Sequence, residues 1–179
     1  MPGDDAVPEP DLVMDRVLEL DAGRETVWPW LVQLGKHRAG WYMPRSVEMF
    51  VPPARRALRR LDGRWLHLAV GDVIPDWGPG EPVFEVLEIE APSYLVYWSR
   101  RPRRQRRGHE RPPLQLTWAL SLSDLAPQRT CLRMRLRLDL GHRAGPLATY
   151  GGDLLDWGTV KLLGRGLNER LRDSAKPSP

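Results

Sequence analysis

The residues that most often carry chemistry in enzymes are few in this chain and lie far apart. The 179-residue sequence has four histidines and one cysteine, without the spacing of a metal site. It has no Gly-x-Ser-x-Gly motif, no phosphate-binding loop and no dinucleotide-binding glycine pattern. We therefore predict no metal, no cofactor and no nucleophilic serine or cysteine, and leave open whether the chain is an enzyme.

A few polar side chains could point into an interior: Gln33, His37, Asp72, Tyr150 and Asp153. Most of them also have an ordinary structural explanation. Asp72 follows a glycine in a turn, and Asp153 lies near the start of a predicted helix, where the helix dipole favours an acid. The spacing identifies no acid–base pair among them.

Aromatic residues are the more informative set, because the chain has eight tryptophans. They could line an apolar ligand pocket or fill the core of a curved sheet, and both explanations stay open. Trp118 and Trp157 are the best candidates for lining the pocket. Trp118 lies on the dry face of a predicted strand, and Trp157 lies on the predicted helix that faces it. The predicted ligand-binding residues are Trp28, Gln33, Trp41, Trp98, Trp118, Met134, Tyr150, Leu154 and Trp157.

Two segments with strict alternation supply a surface for these residues. Leucine, tryptophan or methionine occupies every second position from Leu114 to Leu122 and from Leu132 to Leu140. This pattern predicts a long hairpin with one dry face and one wet face. The arginines of the wet face, at 133, 135 and 137, are expected to pair across strands with Glu85 or Glu88.

The final segment, from Pro146 to Asp173, predicts a long amphipathic helix that covers the dry face. Its apolar stripe comprises Tyr150, Leu154, Trp157, Val160, Leu167 and Leu171, with Leu163 beside it and Gly164 on it. Gly158, Gly164 and Gly166 interrupt this helix. They could leave space for a ligand, or they could permit close backbone packing or a kink.

Shorter elements complete the pattern. A first strand and a helix that contains Pro29 are followed by a short helix from Pro44, which carries Val47 and Phe50, and by possible basic turns. The predicted segments are 13–21, 22–34, 44–51, 54–61, 73–74, 83–90 and 94–99. If the helix started near Gly23, Pro29 would kink it, whereas a start at Thr26 would accommodate the proline. The order predicts an α+β fold with helices on one side of an antiparallel sheet.

Two motifs resemble a known superfamily. Residues 27–35 (VWPWLVQLG) followed by 38–42 (RAGWY), and residues 70–75 (VGDVIP), resemble bacterial proteins of the polyketide cyclase/dehydrase and lipid-transport superfamily. These are also called SRPBCC or START-like proteins. The resemblance covers roughly residues 13–172 and implies a helix-grip fold. In that fold a curved sheet of about six or seven strands surrounds a long C-terminal helix, with two short helices after the first strand.

The resemblance also implies a cavity between sheet and helix for a small hydrophobic or aromatic molecule, but it transfers no catalytic residue. An enzyme of the cyclase or dehydratase kind in the same cavity is the alternative. A lesser alternative is that the basic segment Arg100–Arg111 binds nucleic acid or an anionic membrane surface. A mobile, solvated loop explains that segment as well.

Composition sets the remaining expectations. The formal charge is +4, and nearly all basic residues are arginines spread along the chain, which alone is weak evidence for an anionic partner. We predict a disordered arm at 1–11, one domain at 12–173 with a basic inter-strand loop at 100–113, and a flexible tail at 174–179. The acidic, proline-rich start is unlike a signal peptide, and no apolar run would cross a membrane, so we expect a cytoplasmic protein. The sequence does not indicate an oligomeric state.

Overall fold

The structure is a computed structural model. It describes residues 1–76, 81–101, 113–140 and 146–175, and in the last of these ranges the side chains from residue 157 onward.

Six strands form one curved antiparallel sheet. They are β1 (Leu12–Leu20), β2 (Val73–Pro75), β3 (Val83–Glu90), β4 (Tyr94–Arg101), β5 (Leu114–Ala126) and β6 (Arg129–Asp139). Their order across the sheet is β1-β6-β5-β4-β3-β2. The first strand of the chain therefore pairs with the last one, while the other strands follow each other as neighbours.

The long hairpin is confirmed in β5 and β6. Trp118 pairs with Leu136 and Leu120 with Met134, so the apolar residues of both strands share one face. The strands continue further than the alternation indicated, and only Pro127 and Gln128 connect them. Gln128 has a positive φ of 59°, a backbone conformation suited to a tight turn.

The arginines of β6 have different partners from those expected. Arg133 and Arg135 both donate to the carboxylate of Asp15 on β1, with Nη2–O distances of 2.5 Å. The expected partners Glu85 and Glu88 lie on β3, which β5 and β4 separate from β6. The prediction was wrong because the position of β1 beside β6 cannot be seen in the alternation of β6 itself.

In the described parts of the chain, three α-helices accompany the sheet: α1 (Arg24–Gln33), α2 (Arg45–Glu48) and α3 (Pro146–Ser174). Gly23 caps α1, so Pro29 lies inside the helix rather than in its first turn. In the predicted basic turns at 54–61, only a 3₁₀ turn at Pro53–Arg55 forms.

The core lies between the inner face of the sheet and α3. Leu163, Leu167 and Leu171 are buried on α3, and they face a sheet surface that includes Leu20 and Leu132. Val160, also predicted for the stripe, is 7% exposed. Burying a leucine of this kind contributes about 2 kcal/mol, so the stripe holds the helix to the sheet.

The glycines of α3 differ in their surroundings. A Cβ on Gly166 would lie 2.6 Å from the backbone of Met43, and one on Gly164 would lie 2.9 Å from the Leu18 side chain. These two glycines therefore permit close packing of α3. Nothing lies within 4 Å of a Cβ on Gly158.

The N-terminal segment packs against the outer face of the sheet, in contrast to the disordered arm that its composition predicted. Val7 is 3% exposed, and Asp4 forms an ion pair with Arg135 at 2.9 Å. Arg137 donates hydrogen bonds to the carbonyls of Val7 and Pro8. The arginines of β6 therefore bind the N-terminal segment to the sheet. The sequence of neither β6 nor the N-terminal segment indicated this contact.

Among the helices whose residues the structure describes, none combines the length and apolarity that crossing a bilayer requires.

Candidate functional site: an aromatic cavity between sheet and helix

A cavity of about 180 Å³ lies between the inner face of the sheet and α3. Strands β2 to β6 line one side, the turn after α1 lines another, and α3 contributes Thr159 and Val160. The apolar residues of its wall include Leu34, Trp41, Ile74, Phe84, Tyr97, Trp118 and Leu136.

Trp118 is at the centre of an aromatic cluster in this wall. Its ring stacks on Tyr97 with centroids 5.7 Å apart and on Trp41 with centroids 6.0 Å apart. Phe84 contacts both Tyr97 and Trp118 in tilted geometry. Each such pair stabilises the fold by about 1 kcal/mol beyond area burial. The aromatic contacts therefore hold these rings in place as a wall against which a flat apolar molecule can pack.

Strand register explains why the rings meet. Tyr97 on β4 lies directly opposite Trp118 on β5, and cross-strand partners on one face stand about 5 Å apart. Trp41 reaches the cluster from outside the sheet.

A glycine-bounded turn positions Trp41. Gly35 and Gly40 form an isolated bridge, and Gly40 has a φ of 85° that favours glycine. A Cβ on Gly40 would lie 3.0 Å from Cα of Ala57, so this turn also packs tightly against the following segment. The conformation of the turn therefore determines the backbone position of Trp41.

One end of the cavity is polar. The Asp76 carboxylate, which lines it, accepts a hydrogen bond from Arg101 at 2.5 Å, and Lys36 donates to the Asp76 carbonyl at 2.9 Å. The Arg101 guanidinium also lies 5.5 Å from the centroid of Phe84. This arrangement joins β2 to β4 beside the cavity.

Tyr97 combines a place in the wall with an unsatisfied hydroxyl. The side chain is 3% exposed, and its hydroxyl has no hydrogen-bond partner in the described part of the chain. Burial raises the pKa of Tyr97, while the charge of Arg38 acts in the opposite direction. The hydroxyl is therefore protonated at neutral pH and can donate a hydrogen bond rather than act as a base.

The structure places the predicted site residues in several environments. Trp41 and Trp118 lie in the cavity wall, and Met134 is 3% exposed in the core. Gln33 is fully buried, where it donates to Tyr42 and to the Arg60 carbonyl.

Trp28 lines a different cavity, of about 450 Å³, between α1 and residues 66–69. The Asp72 carboxylate, which borders it, accepts a hydrogen bond from the backbone of Ala69, as expected for a turn residue. His37 is exposed in the turn after α1.

Two further predicted tryptophans, Trp98 and Trp157, also lie away from the aromatic cavity. Trp98 follows the inward-facing Tyr97 on β4 and so belongs to the opposite face of the sheet. Trp157 is 48% exposed, and the Lys161 ammonium lies 4.0 Å from its ring centroid. The helix turns Val160 toward the sheet instead, because Trp157 lies at the edge of the apolar stripe.

The side chains of Tyr150, Leu154 and Asp153 lie outside the described residues, as do residues 102–112 of the basic loop.

Sequence reasoning missed Phe84, Tyr97 and Ile74. The segment from Tyr94 to Ser99 is apolar on both faces, so alternation could not show that Tyr97 rather than Trp98 points inward. The pairing of Tyr97 with Trp118 supplies that information, and it requires the register between β4 and β5.

No family model matches the chain, and no curated protein matches it. Solved structures do. A protein from Thermobifida fusca is 14% identical, with a TM-score of 0.54, covering 93% of this chain and 97% of that one. The Aha1 dimer from Colwellia psychrerythraea is 11% identical, with a TM-score of 0.50, covering 88% and 96%.

The chain has the helix-grip fold. A START superfamily protein from Mycobacterium smegmatis is also similar, at 12% identity and a TM-score of 0.48, covering 91% of this chain and 99% of that one. The six-stranded sheet and the long α3 are the elements that define this architecture here. The fold by itself does not assign an activity.

Proposed function

We propose that this protein binds a small, mostly apolar molecule with an aromatic ring in the cavity between the sheet and α3. The observation that carries the proposal is the cluster of Trp41, Phe84, Tyr97 and Trp118 in the cavity wall. Pockets of this composition bind by burying apolar ligand surface, at about 25 cal/mol per Å².

The size of the cavity limits the ligand. An apolar cavity of roughly 150 Å³ holds benzene, so about 180 Å³ favours a molecule of one or two rings. The polar end with Asp76 is the part of the wall that would orient it.

An enzyme of the cyclase or dehydratase kind that uses the same cavity is the alternative, and Tyr97 and Asp76 are the residues of the wall that bear on it. The raised pKa of Tyr97 makes its hydroxyl a poor proton donor in catalysis at neutral pH. The other acidic group considered, the Asp76 carboxylate, already accepts a hydrogen bond from Arg101 and is therefore less suited to act as a catalytic base. Binding without turnover is therefore the function that we propose first.

The motifs around Trp28–Trp41 and Gly71 support the further proposal that the chain belongs to the SRPBCC, or START-like, superfamily and its bacterial subgroup. A cytoplasmic location and the partner of the segment Arg100–Arg111 stay predictions.

A cavity-filling substitution tests the proposal. We expect purified protein to carry a small molecule detectable by native mass spectrometry, and to bind naphthalene in a fluorescence titration. Val160 is 7% exposed and lines the cavity, so Val160→Phe should weaken naphthalene binding at least about tenfold by occupying the space.

The matched control is Val17→Phe, which makes the same change at a position that is 60% exposed on β1. It should leave binding unchanged. Equal binding by Val160→Phe and the unaltered protein would show that the cavity is not the site.

A further inference from the structure

The loop after α2 exposes two large apolar side chains in succession. Phe50 is 83% exposed and Met49 is 65% exposed, the two highest values among the exposed large hydrophobic residues of the described chain. Pro52 and Pro53 follow, and both are exposed as well. We call residues 49–53 the apolar tip. Single exposed apolar residues are common on proteins, whereas larger contiguous apolar patches mark interaction sites.

The backbone of the apolar tip is held in place rather than loose. Phe50 N–H donates to the Val47 carbonyl at 3.1 Å, and Val51 N–H donates to the Glu48 carbonyl at 3.0 Å. From the other side of the loop, the Arg56 guanidinium donates to the carbonyl of Val51 at 2.8 Å. The fold therefore fixes the loop while leaving its apolar side chains in solvent, and the proline rings restrict it further.

Positive charge without acidic partners adjoins the tip. The Arg56 guanidinium contacts backbone carbonyls, so no carboxylate neutralises it within the described residues. Arg55 is exposed on the 3₁₀ turn that follows the tip and has no ion pair there either. Arg45 and Arg59, by contrast, are paired with acids of α3.

We propose that the apolar tip inserts into the interface of an anionic lipid membrane, with Arg55 and Arg56 against the lipid headgroups. Apolar side chains flanked by arginine match the two layers of such a surface, the acyl boundary and the negative headgroups. The charge beside the tip favours an anionic membrane as the partner, because the exposed Arg55 and Arg56 have no acidic partner among the described residues and suit a negatively charged surface. This assignment is independent of what the cavity binds.

Vesicle co-sedimentation with the full chain tests the assignment. The protein should sediment with vesicles of phosphatidylcholine and phosphatidylglycerol, and less with phosphatidylcholine alone. Met49→Ser with Phe50→Ser should reduce binding to the mixed vesicles at least about tenfold. Arg55→Gln should weaken it about fivefold on mixed vesicles and leave binding to phosphatidylcholine unchanged.

Val17→Ser is the matched apolar control, because Val17 is 60% exposed on the outer face of β1. Val17→Ser should leave vesicle binding intact, and every point substitution should keep the thermal midpoint of the unaltered protein. Deletion of residues 102–107, which leaves β4 and the Arg101–Asp76 ion pair in place, separates the basic segment from the tip and should preserve most binding.

Three results would overturn the proposal. They are no binding to mixed vesicles, binding that survives Met49→Ser with Phe50→Ser, and binding that the 102–107 deletion abolishes. Self-association that the double substitution removes, without vesicle binding, would instead identify the tip as an interface between copies of the chain.

Discussion

At the scale of single residues, the most constrained charge in the described structure is that of Arg170. Its side chain is fully buried, and it donates to Glu48 at 2.6 Å and to the carbonyls of Leu58, Met43 and Gly166. Burial lowers the pKa of Arg170, and the hydrogen bond to Glu48 acts against that effect. These contacts join α3 to α2 and to the segment after it.

Replacing Arg170 should therefore lower the free energy of unfolding substantially. Arg170→Met leaves the Glu48 carboxylate buried with only Arg59 as partner, so we expect a loss of about 3 kcal/mol in the free energy of unfolding. Chemical denaturation measures it. Arg165→Met, an exposed arginine on the same helix, should change stability by less than about 0.5 kcal/mol, and a similar loss in both would refute the argument.

A second charged residue gives the protein a specific acid sensitivity. Hydrogen bonds from Arg133, and also from Arg135, lower the pKa of Asp15 to about 2. Because the folded state holds this carboxyl at a lower pKa than the unfolded chain, its contribution is complete above pH 4 or so. That contribution is lost as the pH falls through about 2.

Asp15→Asn should remove this part of the acid dependence. After solvent screening we expect a loss on the order of 1 kcal/mol at pH 7, and a smaller difference from the unaltered protein at pH 2. Denaturation curves at both pH values measure the difference. A constant gap between Asp15→Asn and the unaltered protein at the two pH values would contradict the assignment.

At the scale of elements, α3 should respond in opposite ways to two identical substitutions. Gly166→Ala places a methyl group 2.6 Å from the Met43 backbone, which cannot move aside cheaply, so we expect a loss of about 1–3 kcal/mol. Gly158→Ala meets nothing within 4 Å and should gain up to about 1 kcal/mol from helix propensity. Thermal and chemical denaturation of the two variants provide the comparison, and losses of similar size at both sites would exclude this account.

Element types with a strict pattern could be predicted from the sequence, and boundaries set by tertiary contacts could not. β5, β6 and α3 follow from alternation and helical spacing, because each has one face toward the core. The predicted turns at 54–61 did not form as helix, because tertiary contacts fix this segment. Arg59 forms ion pairs with Glu48 and Glu169, and the Leu58 carbonyl accepts a hydrogen bond from Arg170.

The candidate site was only partly predictable for a related reason. Trp41 and Trp118 were identified by residue type, whereas Phe84 and Tyr97 enter the cavity through strand register. The rotation of α3 decides that Val160 faces the sheet and Trp157 does not. Neither register nor rotation is encoded in the pattern of one segment.

At the scale of the whole molecule, the sheet joins distant parts of the chain. β1 is bound along its length to β6, with Leu12 opposite Leu138 and Leu20 opposite Thr130. The hairpin β5–β6 is local by comparison, and so is the succession from β3 to β5.

This pairing of the first strand with the sixth has a kinetic consequence. A nascent chain leaving the ribosome exposes β1 long before its partner has been synthesised, and loop closure over so many residues slows the final step of folding. Val17 and Val13, exposed on that strand even in the native state, would then meet other chains first. The interval during translation, rather than the finished fold, is where aggregation would compete most strongly with assembly.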